Sequence, residues 1–349
     1  MERIRYIKIA LTLLALTLYL NSCQDIQDLF IQSESFQEEQ GSKTTSTKGS
    51  VEPIRICSQN LARLGSDKKN YSLKLKYLVS LMSENNCSVV ALQEVTNKDV
   101  AKKLAKALSK KSKREFRSYL GKSRDRYITN GYLIAQDFGK LLGVKSYKRK
   151  SLPRIFKRGP SRDFIRGPLE AKFKLPFFNR NLRIYNIHLK SKHKGWKDPT
   201  KTNFEIERAE SAQAIRDIAL DNKKDDFVLV IGDRNNSKDK ASDEVLEGRI
   251  ELEDLAEGGP CKILKNEYAK CSKLRKPRLL GLFGLLKERL PRRFRGTHKY
   301  KGKEHVLDEA FILPRDLSLV SSGKKLNIGT AGRYYKGSDH KMIWVEIRP

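Results

Sequence analysis

The run Phe227–Ile231 stops at Gly232, Asp233, Arg234, Asn235 and Asn236. An apolar segment of that length and type suits a strand buried on both faces. At its end stand a carboxylate, Asp233, and an amide, Asn235, two residues apart beside a glycine. Such a pair can face one reacting group. Gly, Asp and Asn are also the ordinary residues of a chain reversal, so the stretch by itself reads equally as a turn. Side chains of related chemistry recur in matching places. Asn60 closes "IRICSQN", Glu94 closes "CSVVALQE", His188 closes "LRIYNIH", and Asp339 and His340 sit just ahead of the final run "MIWVEI". Imidazoles exchange protons near neutral pH, and carboxylates and amides supply acceptor oxygens. Each residue alone is bland, but all of them at strand ends is hard to explain as turn chemistry.

The elements around these residues are α/β in character. "YSLKLKYLVSLMSENN" has helical spacing, with Leu75, Leu78, Leu81 and Met82 on one side. "KDVAKKLAKALSKK" reads as an amphipathic helix, and "GYLIAQDF" and "EAKFKLPF" read as strands. "NFEIERAESAQAIRDIALDN" places Ile206, Ala209, Ala212, Ile215 and Ile218 or Ala219 on the inner face of a helix. "HVLDEAFIL" is a strand containing Asp308. Packed sheets bring their strand ends to one rim, and there the polar groups can converge.

The 349 residues carry a formal charge of +31, a surface that attracts nucleic acid, anionic lipid or acidic polysaccharide. Residues 1–22 have basic Arg3, Arg5 and Lys8, then an apolar run from Ile9 to Leu20, too short for a membrane span but suited to a signal peptide. Leu20-Asn21-Ser22-Cys23 resembles a bacterial lipobox, which implies cleavage before Cys23, its lipidation and firm membrane anchoring. The expected location is therefore the periplasmic or outer-surface face of a bacterial membrane. Residues 23–50 read as the lipidated cysteine and a flexible tether, and 51–349 as the globular domain. Cys57 and Cys87, in strand-like runs, read as small buried residues. Cys261 and Cys271 close a short polar loop, where a disulfide is plausible in an exported protein.

The ordered set "QEV", "FIRGPLEAKF", "NIHLKSK", "GDRN", "THKYKGKEHVLDEAFI" and "SDH" resembles the endonuclease/exonuclease/phosphatase superfamily, the deoxyribonuclease I-like fold, over about residues 51–349. The resemblance implies an α/β four-layer sandwich, two mixed sheets face to face with helices outside. It also implies metal-dependent phosphoester hydrolysis, with Mg2+ or Mn2+ and Ca2+ as a possible structural ion. On this reading Glu94 holds the metal, with Asn60 supporting the metal or the phosphate and Asp339 the metal or a histidine. His188 and His340 act as acid and base, in an order left open. Asp308 pairs with His340 and raises its pKa, Asp233 orients or deprotonates the attacking water, and Asn235 and Arg166 contact the phosphate. The family's carboxylate partner for the first histidine is missing; Asn130 stands near that position and Asp125 is the alternative.

The charge favours a nuclease, with DNA as substrate. A sphingomyelinase-type phospholipid phosphodiesterase is the second expectation: the basic insertion 261–296 contains an apolar turn, Leu279 to Leu286, that can enter a membrane. The third is an inactive scaffold that binds polyanions.

Overall fold

Period-two alternation decides the layers. In the strand Phe227–Asp233, Phe227, Leu229 and Ile231 join one buried cluster, while Val228 and Val230 join another. Its neighbour Asn181–His188 divides the same way, with Leu182 and Ile184 on one side and Tyr185 and Ile187 on the other. Strands apolar on both faces must be covered on both. One face here meets a second sheet and the other meets helices.

The computed structural model describes residues 53–65, 70–148, 151–155, 163–192, 198, 200–221, 226–237, 240–286, 296–322 and 325–348. The leader, Cys23 and the tether lie outside the described residues, as does 287–295 of the basic segment. The chain opens with β1 (Ile54–Asn60), α1 (Tyr71–Glu84), β2 (Cys87–Val95), α2 (Lys98–Ser112), β3 (Phe116–Leu120), β4 (Thr129–Ala135) and β5 (Lys140–Ser146). There follow β6 (Leu169–Lys174), β7 (Asn181–His188), α3 (Glu205–Leu220), β8 (Phe227–Asp233) and α4 (Ala241–Glu247). The last part holds β9 (Cys261–Ile263), β10 (Ala269–Cys271), β11 (Leu280–Gly281), α5 (Leu282–Leu286), β12 (His298–Tyr300), β13 (Lys303–His305) and β14 (Asp308–Ile312). It ends with β15 (Ser321–Ser322), β16 (Lys325–Leu326), β17 (Ile328–Ala331) and β18 (Met342–Ile347).

One six-stranded sheet runs β17-β18-β1-β2-β4-β3 and the other β11-β14-β8-β7-β6-β5. Both are mixed, because β1 pairs in parallel with β2, and β7 with β8, among antiparallel neighbours. Leu78 and Met82 of α1 and Leu104 and Leu108 of α2 pack into the first core. Ala209, Ala212, Ile215, Ile218 and Ala219 of α3 pack on Tyr185, Val228 and Val230. The expected four layers are therefore present. Ile206, expected on the inner face of α3, is only half-buried.

Two expectations are corrected. Leu279, Leu282 and Phe283 are buried core residues, and β11 pairs with β14 through Leu280 and Ile312. These side chains cover the end of the second sheet and are not available to a membrane, while Leu285 of the same turn stays 42% exposed. Cys57 and Cys87 form a disulfide across adjacent β1 and β2, with Cα atoms 5.8 Å apart. Two cysteines inside apolar strand runs look like small hydrophobes, and only the pairing of the strands shows that they meet. Cys261 and Cys271 are bonded as expected; they lie directly opposite each other in the β9–β10 hairpin.

Candidate active site

Gly232 explains the opening motif. It has φ 145°, and a Cβ there would lie 2.2 Å from the Ile187 carbonyl oxygen, so only glycine lets β8 run this close to β7. The register then sets His188 and Asp308 on either side of Asp233. Arg234 turns inward, fully buried against Asp243 and Glu309, and anchors the strand exit. From the other sheet come Asn60 at the end of β1, Glu94 in β2 and His340 just ahead of β18. Glu94 has φ 57° and sits where the β2–β4 register slips between Leu92 and Val95. Such a bulge re-aims a side chain, here at the rim between the sheets.

The predicted residues converge. His188 Nε2 lies 3.9 Å from Glu94 Oε1 and 3.6 Å from Asp233 Oδ2. Asp233 Oδ2 lies 3.9 Å from His340 Nε2, and His340 Nδ1 lies 2.7 Å from Asp308 Oδ2. Asn60 Nδ2 donates to Asp233 Oδ2 at 3.0 Å, while its Oδ1 accepts the Ala62 N–H at 2.9 Å. Glu94, His188, Asp233, His340 and Asp308 thus form one continuous chain of acid–base groups.

Their charges differ sharply. Burial works against the His340 cation, but Asp308 and Asp233 outweigh it and hold the imidazole up at about 10. Burial lowers His188 well below its usual value, assisted by the charges of Arg166 and His340. One histidine is therefore cationic near neutral pH and the other neutral. Burial also raises Asp233 to about 6; the nearby Asp308 and Glu94 carboxylates add to this and His340 opposes it. Neither candidate partner reaches His188: its Nδ1 is buried and has no hydrogen bond among the described residues. Asn130 instead donates to the carbonyls of Gly167 and Asn186. Asp125 is engaged with Arg166 at 3.0 Å.

Two other predicted residues have different surroundings from those expected, and Asp339 takes the histidine-supporting alternative. Both amide hydrogens of Asn235 are taken, by the Leu189 carbonyl at 3.0 Å and Asp233 at 3.2 Å, so this left-handed residue clamps Asp233 and has none left for a phosphate. Arg166 donates to the carbonyls of His188 and Leu189 as well as to Asp125 and so braces the end of β7. Arg166→Ala is expected to destabilise the fold by about 2 kcal/mol and to lower kcat more than it raises KM. Thermal melts and steady-state kinetics check this; a KM effect at unchanged kcat would instead mark a phosphate contact. Asp339 faces His298, with Oδ2 3.5 Å from Nε2. Burial opposes its ionisation, but the His298 hydrogen bond and the His340 charge hold the carboxyl below its usual value.

His298 was not singled out in the sequence. It belongs to β12, forms a bridge with His340, and its ring centre lies 4.6 Å from that of His340. Its signal was the alternation His298, Tyr300 before a Lys-Gly turn. Gln93 and Asn186 were also missed. Gln93 Nε2 donates to Asn186 Oδ1 at 2.7 Å, and Asn186 donates to the carbonyls of Leu92 and Gly131, so the two sheets are cross-linked beneath the site. A polar residue inside an apolar strand, just before Glu94 and two before His188, was the clue.

The donor set fits a hard divalent cation: Glu94 and Asp339 offer carboxylate oxygens, and Asn60 an amide oxygen with one lone pair left. His298, Asp339 and His340 also bring three ligand atoms within 4.8 Å of one another.

By sequence, no protein-family model matches the chain and no curated protein matches it. Solved structures do match. A humanised D. rerio TDP2 superposes with TM-score 0.53 and 17% identity, covering 85% of this chain and 99% of the other. D. rerio TDP2 complexed with a single-strand DNA product gives 0.51 and 16%, covering 85% and 99%. An endonuclease/exonuclease/phosphatase family protein from Leptotrichia buccalis gives 0.51 and 13%, covering 85% and 100%. The chain has the deoxyribonuclease I-like fold. Within that fold the candidate site lies at the strand ends on one rim of the paired sheets, drawing on both.

Proposed function

We propose that this protein is a divalent-cation-dependent phosphodiesterase acting on nucleic acid. The observation that carries the proposal is the unbroken chain from Glu94 through His188 and Asp233 to His340 and Asp308. A bound Mg2+ or Mn2+, held by Glu94 with Asn60 and Asp339, supplies charge neutralisation at the phosphoryl oxygens. Asp308 keeps His340 charged, so its Nε2 proton is available to a leaving oxygen. Asp233, fixed by Asn60 and Asn235, directs a water at phosphorus. Neutral His188 hydrogen-bonds the phosphoryl group between Glu94 and Asp233.

Several features support nucleic acid as the substrate class. They are the +31 charge, the TDP2 neighbour complexed with DNA and the burial of Leu279, Leu282 and Phe283 in the turn that would have favoured a lipid surface. DNA is our specific choice. We read residues 1–22 as a leader and Cys23 as a lipid anchor, which puts the domain outside the bacterial cytoplasm; two disulfides are consistent with an oxidising compartment. Incubating the protein with single-stranded and plasmid DNA plus Mg2+ is expected to give cutting that EDTA abolishes. Release of phosphocholine from sphingomyelin vesicles without DNA cutting would overturn the proposal in favour of a lipid substrate.

A further inference from the structure

The β12–β13 hairpin is more than a connection to Asp308. Its turn is Lys301-Gly302, with φ 47° and 78°, the two left-handed residues of a tight two-residue hairpin. Pairing sets His298 opposite His305 and Tyr300 opposite Lys303. Alternation then puts His298, Tyr300, Lys303 and His305 on one face. That face is continuous with the catalytic rim, because His298 forms a bridge with His340 and their rings lie 4.6 Å apart. A row of rings therefore leads outward from His340 through His298 to Tyr300.

The rings of His298 and Tyr300 are within 16° of parallel and their centres are 6.5 Å apart. That separation is about the two-residue repeat of a strand, so the two rings stand as successive steps on one face of the hairpin. Tyr300 is 58% exposed, an aromatic ring held toward solvent beside the site. Cations surround it: Lys301 Nζ is 5.6 Å from its ring centre, and Lys303 is its cross-strand partner. Aromatic rings interleaved with lysines make a stacking platform for single strands: the rings take bases of any sequence and the lysines follow the phosphates.

We propose that one base beside the scissile phosphate stacks on the exposed ring of Tyr300, so that the preferred substrate is an unpaired strand. A base inside a duplex is already stacked on both faces and cannot lie on Tyr300 without being unpaired. This inference rests on the nuclease reading and specifies the form of nucleic acid that the same site takes.

The test uses the full chain with Mg2+ and three probes of equal length: a single-stranded DNA, its duplex, and a single strand whose sugars are abasic. The parent is expected to cut the normal single strand fastest. Alanine replacement of a stacking aromatic costs about 1–3 kcal/mol per base, so Tyr300→Ala is expected to reduce kcat/KM on the normal strand by about fivefold to a hundredfold. The same variant is expected to act on the abasic strand much as on the normal one, and Tyr300→Phe to retain the parent's preference. The inference is overturned if the parent cuts duplex as fast as single strand, or if Tyr300→Ala keeps the parent's preference for bases over the abasic strand. A parent that cuts none of the three probes overturns the nuclease reading itself, a result separate from the first two.

Discussion

Replacing His340 by alanine is expected to lower kcat on DNA by about 10²–10⁴-fold, with the protein still folded. His340 is the cation of the site, held by Asp308 at 2.7 Å and facing Asp233 at 3.9 Å. Asp308→Asn is expected to approach the same loss by another route, since the amide keeps the shape but removes the charge that holds the imidazolium. Loss of an orienting carboxylate behind a catalytic histidine has cost about 10⁴-fold in a serine-protease triad. The two effects should not add, because both act on one proton donor. Single-turnover rates for the two single variants and the double variant check this. A His340→Ala enzyme within tenfold of the parent would remove His340 from the chemistry and sink the mechanism proposed above.

The second large effect concerns the Cys57–Cys87 bridge. Its partners are 30 residues apart, and the loop it closes contains all of α1. Chain-entropy reasoning puts the stabilisation at about 3–4 kcal/mol for a loop of this length. In a domain of this size that corresponds to a fall in Tm on the order of 10 °C. The double variant Cys57→Ala/Cys87→Ala is expected to show that fall in a calorimetric melt. Cys261 and Cys271 are separated by only 10 residues and close a hairpin, so removing that bridge is expected to matter less. Equal melting of the Cys57/Cys87 double variant and the parent would show that the parallel β1–β2 pairing needs no covalent support. The bridge also favours an oxidising compartment for folding, in keeping with the leader proposed for residues 1–22.

Much of the fold was legible because its strands are buried on both faces. Continuous apolar runs such as "FVLVI" and "CSVVAL" admit few other readings at that length. The Leu279–Phe283 part of the basic segment is ambiguous for a related reason: an apolar run among lysines looks the same whether its cover is a membrane or a sheet edge. Only its pairing with β14 distinguishes them. The disulfide was missed because the register between two parallel strands, slipped between Arg55 and Ile56, is a property of neither strand alone.

For the site, the sequence by itself determined which groups stand at strand ends: Asn60, Glu94, His188, Asp233 and His340. Side-chain chemistry and strand length are local, and local patterns survive in one dimension. The tertiary structure alone decided what each group touches. It turned Asn235 and Arg166 into braces, left His188 without the partner expected of Asn130 or Asp125, and brought His298 beside His340. It also set the two histidines in opposite charge states, because burial and neighbouring charge depend on distances between residues remote in the chain. Hydrogen bonds and Coulomb interactions act across space, and contacts between distant segments are fixed only when the two sheets close on one another.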